Sequence, residues 1–397
     1  MASARSGPVL IAGAGIGGLT AAACLLQAGI DVEVYEQAPV LSEVGAGIQI
    51  SANAGRVYRH LGLMDAVRAA GAEPALYRFR MFDTGEVLQT IPLGSGYEAR
   101  HGVPYVTIHR ADLHALLVER VRALKPDAIR LGVGVSGYAT NGREAELLTS
   151  RGPVRGAAVI GADGIRSVIR AQMLGDTLAE YTGDCVWRAM VQTPDLPPEH
   201  QSNCVDIWVG PHRHAVTYPL RGGALTNFVG CVEYDGVPED GWTIARPWAE
   251  MQADFAGWHP MIGALIHHAA RDACYRWSLR IRPPVQSWTD GRVTLLGDAA
   301  HPTLPYMAQG AAMAVEDAVI LARCLASTDV ARALSAYQHA RLARTTRIVT
   351  ESTANRALFH QPDRDRLQAA FAARDMNAER SAWLFSYDPV TEGIQTG

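Results

Sequence analysis

The chain has 397 residues and a formal net charge of −4, from 36 Lys+Arg against 40 Asp+Glu, a balance that gives no sign of nucleic acid or an anionic membrane as its main partner. With 48% hydrophobic and 19% charged residues, it has the composition of a folded chain with a large core and not of a disordered one. The cysteines, Cys24, Cys185, Cys204, Cys231, Cys274 and Cys324, are scattered without a CxxC pair, which excludes a small disulfide framework and fits a reducing cytoplasm.

Pro8 to Ala12 is a short apolar run, Gly13-Ala-Gly15-Ile-Gly-Gly18 a tight turn, and Leu19 to Gln27 small and apolar, so strand, turn and buried helix follow one another. Val9 to Ile30 carries no charge, but its glycines suit a phosphate loop better than a membrane anchor. Asp31 to Glu36 alternates as a strand does and completes a βαβ unit. Arg56 to Ala70 reads as a helix, and Tyr77 to Leu93 as a hairpin turning at Asp83-Thr-Gly-Glu86. Arg110 to Leu124 carries Leu113, Leu116, Leu117, Val121 and Leu124 at amphipathic helical spacing. A short antiparallel excursion turning at Asn141-Gly142 precedes a buried strand, Val154 to Ile160. From Gly183 to Glu233 Trp, Val, Tyr, Phe and Thr alternate between turn residues, as about four antiparallel strands would. Arg292 to Leu296 is a second apolar strand, Gly310 to Leu325 a buried helix, and Ala333 to Asn355 and Gln368 to Ala378 are helical.

The glycines at 13, 15 and 18 meet three needs: a turn of unusual φ, a backbone that touches a pyrophosphate, and close packing of helix on strand. Glu36, 18 residues after Gly18, is placed to accept hydrogen bonds from a ribose diol. Gly161-Ala-Asp163-Gly164 and Gly297-Asp298-Ala-Ala-His301-Pro302 each put an Asp just after a buried strand, where ligand contacts gather in α/β folds. Taken alone, each of these is a turn that caps a helix.

Together with the amino-terminal loop, the set resembles the FAD-dependent single-component aromatic hydroxylases related to p-hydroxybenzoate hydroxylase. The likeness runs from Val9 to about Cys324. Within that family, the chain more closely resembles the branch containing salicylate hydroxylase, 3-hydroxybenzoate 6-hydroxylase and 6-hydroxynicotinate 3-monooxygenase. Gly45-Ala-Gly47-Ile-Gln49-Ile50, Ile108-His-Arg110-Ala-Asp-Leu-His114, Trp208 to Tyr218 and Pro302 to Gly310 carry it. The resemblance implies an α/β fold, a Rossmann-type FAD-binding domain interrupted by an antiparallel-sheet substrate domain and followed by a helical C-terminus. The expected divisions are 1–72, 100–178 and 272–330 for FAD, 73–99 and 179–271 for substrate, and 331–397 for the helical segment.

By the same resemblance, Gly13, Gly15 and Gly18 receive the FAD pyrophosphate, Glu36 the adenosine ribose and Asp298 the ribityl chain, with Gly47 also on the cofactor. Asp163-Gly164 matches a motif linked to FAD and reduced nicotinamide, and Arg110 an arginine near the flavin's phosphate and ribityl region. Gly310-Ala311 opens a helix toward the flavin's pyrimidine edge, where a helix N-terminus stabilises negative charge. No second GxGxxG is present, so NADH or NADPH is expected to bind transiently over the flavin.

His214 and Tyr218 lie four apart in an expected strand and face the same way. Related enzymes carry a His and a Tyr at this spacing, which makes His214 the candidate base for a substrate phenol and Tyr218 its helper. A phenolate attacks an electrophilic flavin C4a-hydroperoxide faster than a phenol does, and imidazole suits that proton transfer. Gln49, the third catalytic candidate, stands where 6-hydroxynicotinate enzymes carry a His, and Pro305 departs from the Gln of some 3-hydroxybenzoate enzymes. His212 and His214 share a face at i, i+2 but lack a third ligand, so no metal is expected. His267-His268 reads as exposed. No arginine can be assigned to a substrate carboxylate.

The activity expected is hydroxylation of a small phenolic acid with NAD(P)H and O₂, in a cytoplasmic protein for which a homodimer is the commonest prior. The rival expectations are a flavin oxidase or dehydrogenase without oxygen transfer, and a non-catalytic flavoprotein that binds an aromatic ligand. Signatures of serine hydrolases, zinc proteases and P-loop enzymes are absent from the sequence.

Overall fold

β1 (Val9–Ala12) is buried along its length and runs into Gly13, whose φ of +101° and contact with the Ala162 carbonyl leave no room for a side chain. The computed structural model describes residues 7–41, 47–175, 179–237, 244–271 and 274–394, so Gly45 and Ala46 lie outside the described residues. α1 (Ile16–Gln27) packs onto β1 so closely that a Cβ on Gly18 would fall on the Gly13 carbonyl. β2 (Val32–Glu36) pairs parallel with β1, completing the unit expected from the sequence. β3 (Gly47–Ile50) follows.

The helix expected over 56–70 is two, α2 (Ala52–His60) and α3 (Met64–Ala70). Gly62, at φ +71°, breaks it, and apolar spacing that continues through Val57, Leu61 and Met64 hides the break. β4 (Leu76–Met81) and β5 (Val87–Pro92) form the expected hairpin, with Gly85 at φ +72° in its turn. α4 (Ser95–His101) was not foreseen. β6 (Val106–His109) pairs with β3 and feeds α5 (Arg110–Leu124). β7 (Ile129–Leu131) joins β2. β8 (Val135–Thr140) and β9 (Ala145–Thr149) turn at Asn141-Gly142 as expected.

The single strand expected over 154–160 is also two. β10 (Gly152–Gly156) turns back on β9, and β11 (Ala158–Gly161) inserts parallel to β1. Gly156 sits where a Cβ would strike the Pro8 carbonyl and Leu10, so only glycine lets the chain pass between the two sheets. After α6 (Val168–Leu174) come β12 (Glu180–Gln192), β13 (Cys204–Gly210), β14 (Arg213–Leu220) and β15 (Leu225–Glu233), the four strands expected. They belong to a seven-stranded sheet that β16 (Tyr275–Ile281) and the β4–β5 hairpin extend, in the order β16-β12-β15-β14-β13-β4-β5. The sheet is not wholly antiparallel, because β4 lies parallel to β13.

Along β12, Cys185, Trp187, Ala189 and Val191 pack under α7 (Trp248–Asp254) and α8 (Pro260–His268), and the alternate residues turn to the opposite face. β17 (Thr289–Asp290) and β18 (Val293–Leu295) complete the other large sheet, ordered β17-β18-β11-β1-β2-β7. α9 (Gly310–Ser327) and the 30-residue α10 (Val330–Phe359) follow it, with Tyr337 Oη of α10 donating to the Leu295 carbonyl of β18, whereas α11 (Arg364–Ala372) packs on β5 of the seven-stranded sheet. Among the described residues no helix is long and apolar enough to cross a membrane.

One buried ionic hub fixes the turn after β18. Asp317 on α9 accepts from Gly297 N at 3.0 Å, His301 Nε2 at 2.6 Å and Arg341 Nε at 2.7 Å. Arg341 also pairs with Glu316 at 2.7 Å. Burial pushes the Asp317 carboxyl up, but His301 and Arg341 outweigh it and hold the pKa at about 2, below the ordinary 3.8. A depressed carboxyl contributes stability above its unfolded pKa and loses it as pH falls through the folded one. Wild-type protein should therefore lose about 2 kcal/mol between pH 4 and 2 that Asp317→Asn does not lose. Urea unfolding across that range checks it.

Candidate active site

The carboxyl ends of β1, β11 and β18 and the inner face of the seven-stranded sheet enclose a cavity of about 340 Å³. Its lining includes Gly15, Gly47, Gln49, Arg110, Gly164, His214, Tyr218, Asp298, Gly310 and Ala311, residues drawn from every motif singled out in the sequence. Gly13, Gly18, Glu36 and Asp163 are not among the lining residues; Gly13 and Gly18 flank Gly15 in its turn, and Asp163 precedes Gly164.

The cofactor end presents acceptors and helix ends that the protein does not use itself. Neither α1, which follows Gly15, nor α9, which follows Gln309, has a side-chain cap or an acidic residue in its first turn. Unpaired N–H groups and the positive end of each dipole therefore meet the cavity. A Cβ on Gly15 would meet no protein atom, so its backbone is open to a ligand. Asp298 makes no hydrogen bond to any described residue, and burial pushes its pKa up. It offers a carboxylate to hydroxyl donors, with Arg110 near enough to lower its pKa in part.

Glu36 is partly occupied: Ala14 N and Ala38 N each donate to one of its oxygens at 2.9 Å. The carboxylate thus ties the glycine turn to β2 and keeps further lone pairs for a ribose. Ser167 caps α6, and Asp163 adds to it by accepting from the first-turn Val168 N at 2.8 Å and Ile169 N at 3.3 Å, while its buried Oδ1 has no hydrogen-bond partner among the described residues. These donor and acceptor sets fit a dinucleotide.

The sheet face supplies the other end. Trp277, Val186, Cys231 and His214 form one cross-strand row, and Arg188, Val229 and Val216 the next. His214 and Tyr218 share the cavity face, as their spacing requires. Burial, reinforced by neighbouring His360, pushes the His214 pKa well below the ordinary imidazole value, so the ring is neutral. Burial raises Tyr218 to about 12, so its phenol keeps its proton. Gly47 exists for Tyr218: a Cβ there would run into the tyrosine ring. Gln49 Oε1 accepts from Tyr105 Oη at 2.7 Å, which leaves its Nε2 as a donor toward the cavity. His212 does not share the His214 face. It sits in the β13–β14 turn at φ +58° and bonds Glu233. His267 and His268 are exposed, as expected.

A family model described as "FAD binding domain" matches residues 6–352. The chain belongs to the FAD binding domain family. Over 400 residues it is 38% identical to a 3-hydroxybenzoate 6-hydroxylase of Polaromonas naphthalenivorans, covering 96% of each chain. Over 329 residues it is 40% identical to a 6-hydroxynicotinate 3-monooxygenase of Pseudomonas fluorescens, covering 81% of this chain and 83% of the relative. Klebsiella pneumoniae HpxO, solved with FAD and uric acid, superposes with a TM-score of 0.82 at 29% identity over 94% of each chain. A salicylate hydroxylase solved as a substrate complex shares the fold, with a TM-score of 0.79 at 24% identity over 96% of each chain.

In this member of the FAD binding domain family the sequence reading missed Arg188. Its guanidinium lines the cavity and stacks on Trp277 with 4.7 Å between charge centre and ring, and its buried Nε has no hydrogen-bond partner among the described residues. Burial pushes its pKa down. Strand alternation carried the signal: Val186, Arg188 and Met190 face away from Trp187, so an arginine sits on the side turned from the aromatic core.

The two loop glycines separate folding from cofactor binding. Gly18→Ala should cost about 1–3 kcal/mol of stability through backbone overlap. Gly15→Ala should unfold normally and bind FAD at least about tenfold more weakly, because only a ligand meets its Cβ. Thermal unfolding of apoprotein and FAD titration distinguish the two.

Proposed function

We propose that this FAD-dependent aromatic hydroxylase takes a small phenolic acid, a hydroxybenzoate or hydroxypyridine carboxylate, and hydroxylates its ring with NAD(P)H and O₂. The observation that carries the reading is Arg188. A cavity-lining guanidinium whose Nε is buried and which has no anionic partner among the described residues is costly to keep, and a substrate carboxylate would match it. Neighbouring strands are about 4.8 Å apart, so Arg188 on β12 and the β14 backbone beside His214 are separated by roughly 10 Å. One benzoate-sized ring spans the gap between the side chains, with its carboxylate on Arg188 and its hydroxyl on His214. The names of the relatives agree: hydroxybenzoate, hydroxynicotinate and aminohydroxybenzoate all combine a ring hydroxyl with a carboxylate.

FAD, when bound, supplies the redox chemistry that activates oxygen. Gly13, Gly15 and Gly18 with the start of α1 would hold its pyrophosphate, Glu36 its ribose, and Asp298 with Arg110 its ribityl region. Gly310-Ala311 at the start of α9 would meet the flavin's pyrimidine edge, with Gly47 beside it. We assign Gly164 to ligand contact and Asp163 to holding that turn. Neutral His214 takes the phenolic proton, Tyr218 donates a hydrogen bond to the ionised oxygen, and Gln49 Nε2 donates to the ring's polar edge. Valines 186, 216 and 229 exclude water around the ring. Cysteines that are all free and buried suit a reducing compartment, and we place the protein in the cytoplasm.

Incubating FAD-loaded protein with NADH, O₂ and 3-hydroxybenzoate, salicylate or 6-hydroxynicotinate, with product mass measured, tests the reading. One acid should give a product heavier by one oxygen, or a decarboxylated catechol-type product. Peroxide alone from every acid would contradict it and favour the oxidase. His214→Ala should keep FAD and lower the hydroxylation rate about 10²–10⁴-fold.

Arg188→Met should raise KM for the acid by about 30-fold or more and leave the KM of the corresponding amide unchanged. The same variant should unfold at higher temperature than wild type in the absence of substrate, because it removes an uncompensated buried charge.

A further inference from the structure

A phenolic proton taken up by His214 has to leave a cavity lined by apolar strands. From His214 a line of hydrogen bonds runs outward. His214, 2% exposed, holds Nδ1 2.8 Å from His360 Nε2. His360, just past the end of α10 and 3% exposed, holds its own Nδ1 3.1 Å from Glu233 Oε1. Glu233 ends β15 half-buried, and its Oε2 lies 3.1 Å from Nδ1 of His212, whose side chain is 58% exposed. The line therefore begins in the cavity and ends in water.

The carboxylate at its outer end fixes every tautomer along it. A carboxylate only accepts, so His360 Nδ1 carries the proton and donates. His360 Nε2 is then the lone pair, so His214 Nδ1 must be the N–H that donates to it. That leaves the lone pair of His214 Nε2 as the ring's free base, and His214 lines the cavity. Glu233 thereby sets which nitrogen of a ring two residues away can accept a proton.

The surroundings keep this line from serving another purpose. Asp184, beside His360, is taken by Arg356 at 2.7 and 2.8 Å and by Tyr306 Oη at 2.6 Å. Arg356 also lies 3.4 Å from Glu233. Asp184, Glu233 and His360 stand close enough to ligate a cation, but the Arg356 guanidinium already stands between the two carboxylates and pairs with each. Around His214, Tyr306 and Phe359 pack edge-on, and Cys231 sits on the neighbouring strand.

We propose that His214, His360 and Glu233 form a proton relay joining the substrate's hydroxyl to solvent at His212, with His360 and Glu233 as positioning residues for the base. The inference rests on the phenolic substrate proposed above. The substrate O–H bond breaks as an N–H bond forms at His214 Nε2. The proton on His214 Nδ1 passes to His360 Nε2, the one on His360 Nδ1 passes to Glu233 Oε1, and Glu233 gives it to water. One proton enters and one leaves, and neither ring holds a net charge afterwards. The low basicity of both buried rings suits a relay without a stored imidazolium. When the product's hydroxyl is reprotonated, the reverse passage restores the tautomers.

The test mixes oxidised, FAD-loaded protein with 3-hydroxybenzoate at about pH 8 in weak buffer containing a pH indicator, and follows proton release by stopped flow. No turnover is needed. Wild type should release a proton on binding. Glu233→Gln, which can present an N–H to His360 and reverse the tautomers, should slow release at least about tenfold, with FAD occupancy and acid affinity within about threefold of wild type. His360→Gln should behave alike, and Glu233→Asp should recover part of the rate. Half-exposed Glu233 carries the test if the His360 variant fails to fold. Wild-type release rates in Glu233→Gln, or no release from wild type, would overturn the relay. Slowed release in the variant from a protein that makes no hydroxylated product would support the relay and count against the substrate reading.

Discussion

Charge taken out of water must be matched, and the way this protein matches it organises the molecule. Arg341 is wholly buried and answered by Glu316 and Asp317. Asp184 is answered by Arg356, and Asp206 by Arg78 and Arg80. Around the cavity the matching stops: Arg188, Asp298 and the starts of α1 and α9 have no such partners among the described residues. Each of these lacks one kind of partner, an anion for the arginine and helix ends, a hydroxyl donor for the aspartate. The ligands proposed, a dinucleotide and an aromatic acid, supply what is missing.

The matched charges serve the unmatched ones. The Asp317 hub clamps the backbone of Gly297 and the ring of His301 on either side of Asp298, so a carboxylate without a partner of its own is held by a neighbour with several. Glu36 does the same for the glycine turn. On the opposite wall, the sheet's outer face is locked by Trp187, Phe228 and the helices under them, and the inner face is free to present Arg188 and His214 at fixed register. Cofactor and substrate ends thus ride on separate sheets. They meet where backbone approaches without side chains, as at Gly47 against Tyr218.

Legibility in the sequence followed the range of the physics involved. The βαβ unit, the 77–93 hairpin, the turn at Asn141-Gly142 and the four strands from 183 to 233 are governed by neighbours a few residues apart, and each stands where it was expected. The break at Gly62 and the division at Ala157 were hidden because apolar periodicity ran straight through both. The pairing of β4 with β13 and the contact of His214 with His360, 146 residues apart, leave no local mark. Most candidate residues identified by family motifs line the cavity, and Gly13, Gly18, Glu36 and Asp163 do not. Arg188 escaped because no motif contains it, although strand parity pointed to its face.

We propose that an arginine without an anionic partner and a neutral histidine on one sheet face orient a phenolic acid over the flavin. A crystal structure of the FAD-loaded protein with 3-hydroxybenzoate tests it most directly. The account requires the carboxylate on the Arg188 guanidinium and the ring hydroxyl on His214 Nε2. A carboxylate held elsewhere, with Arg188 still unpartnered, would contradict it.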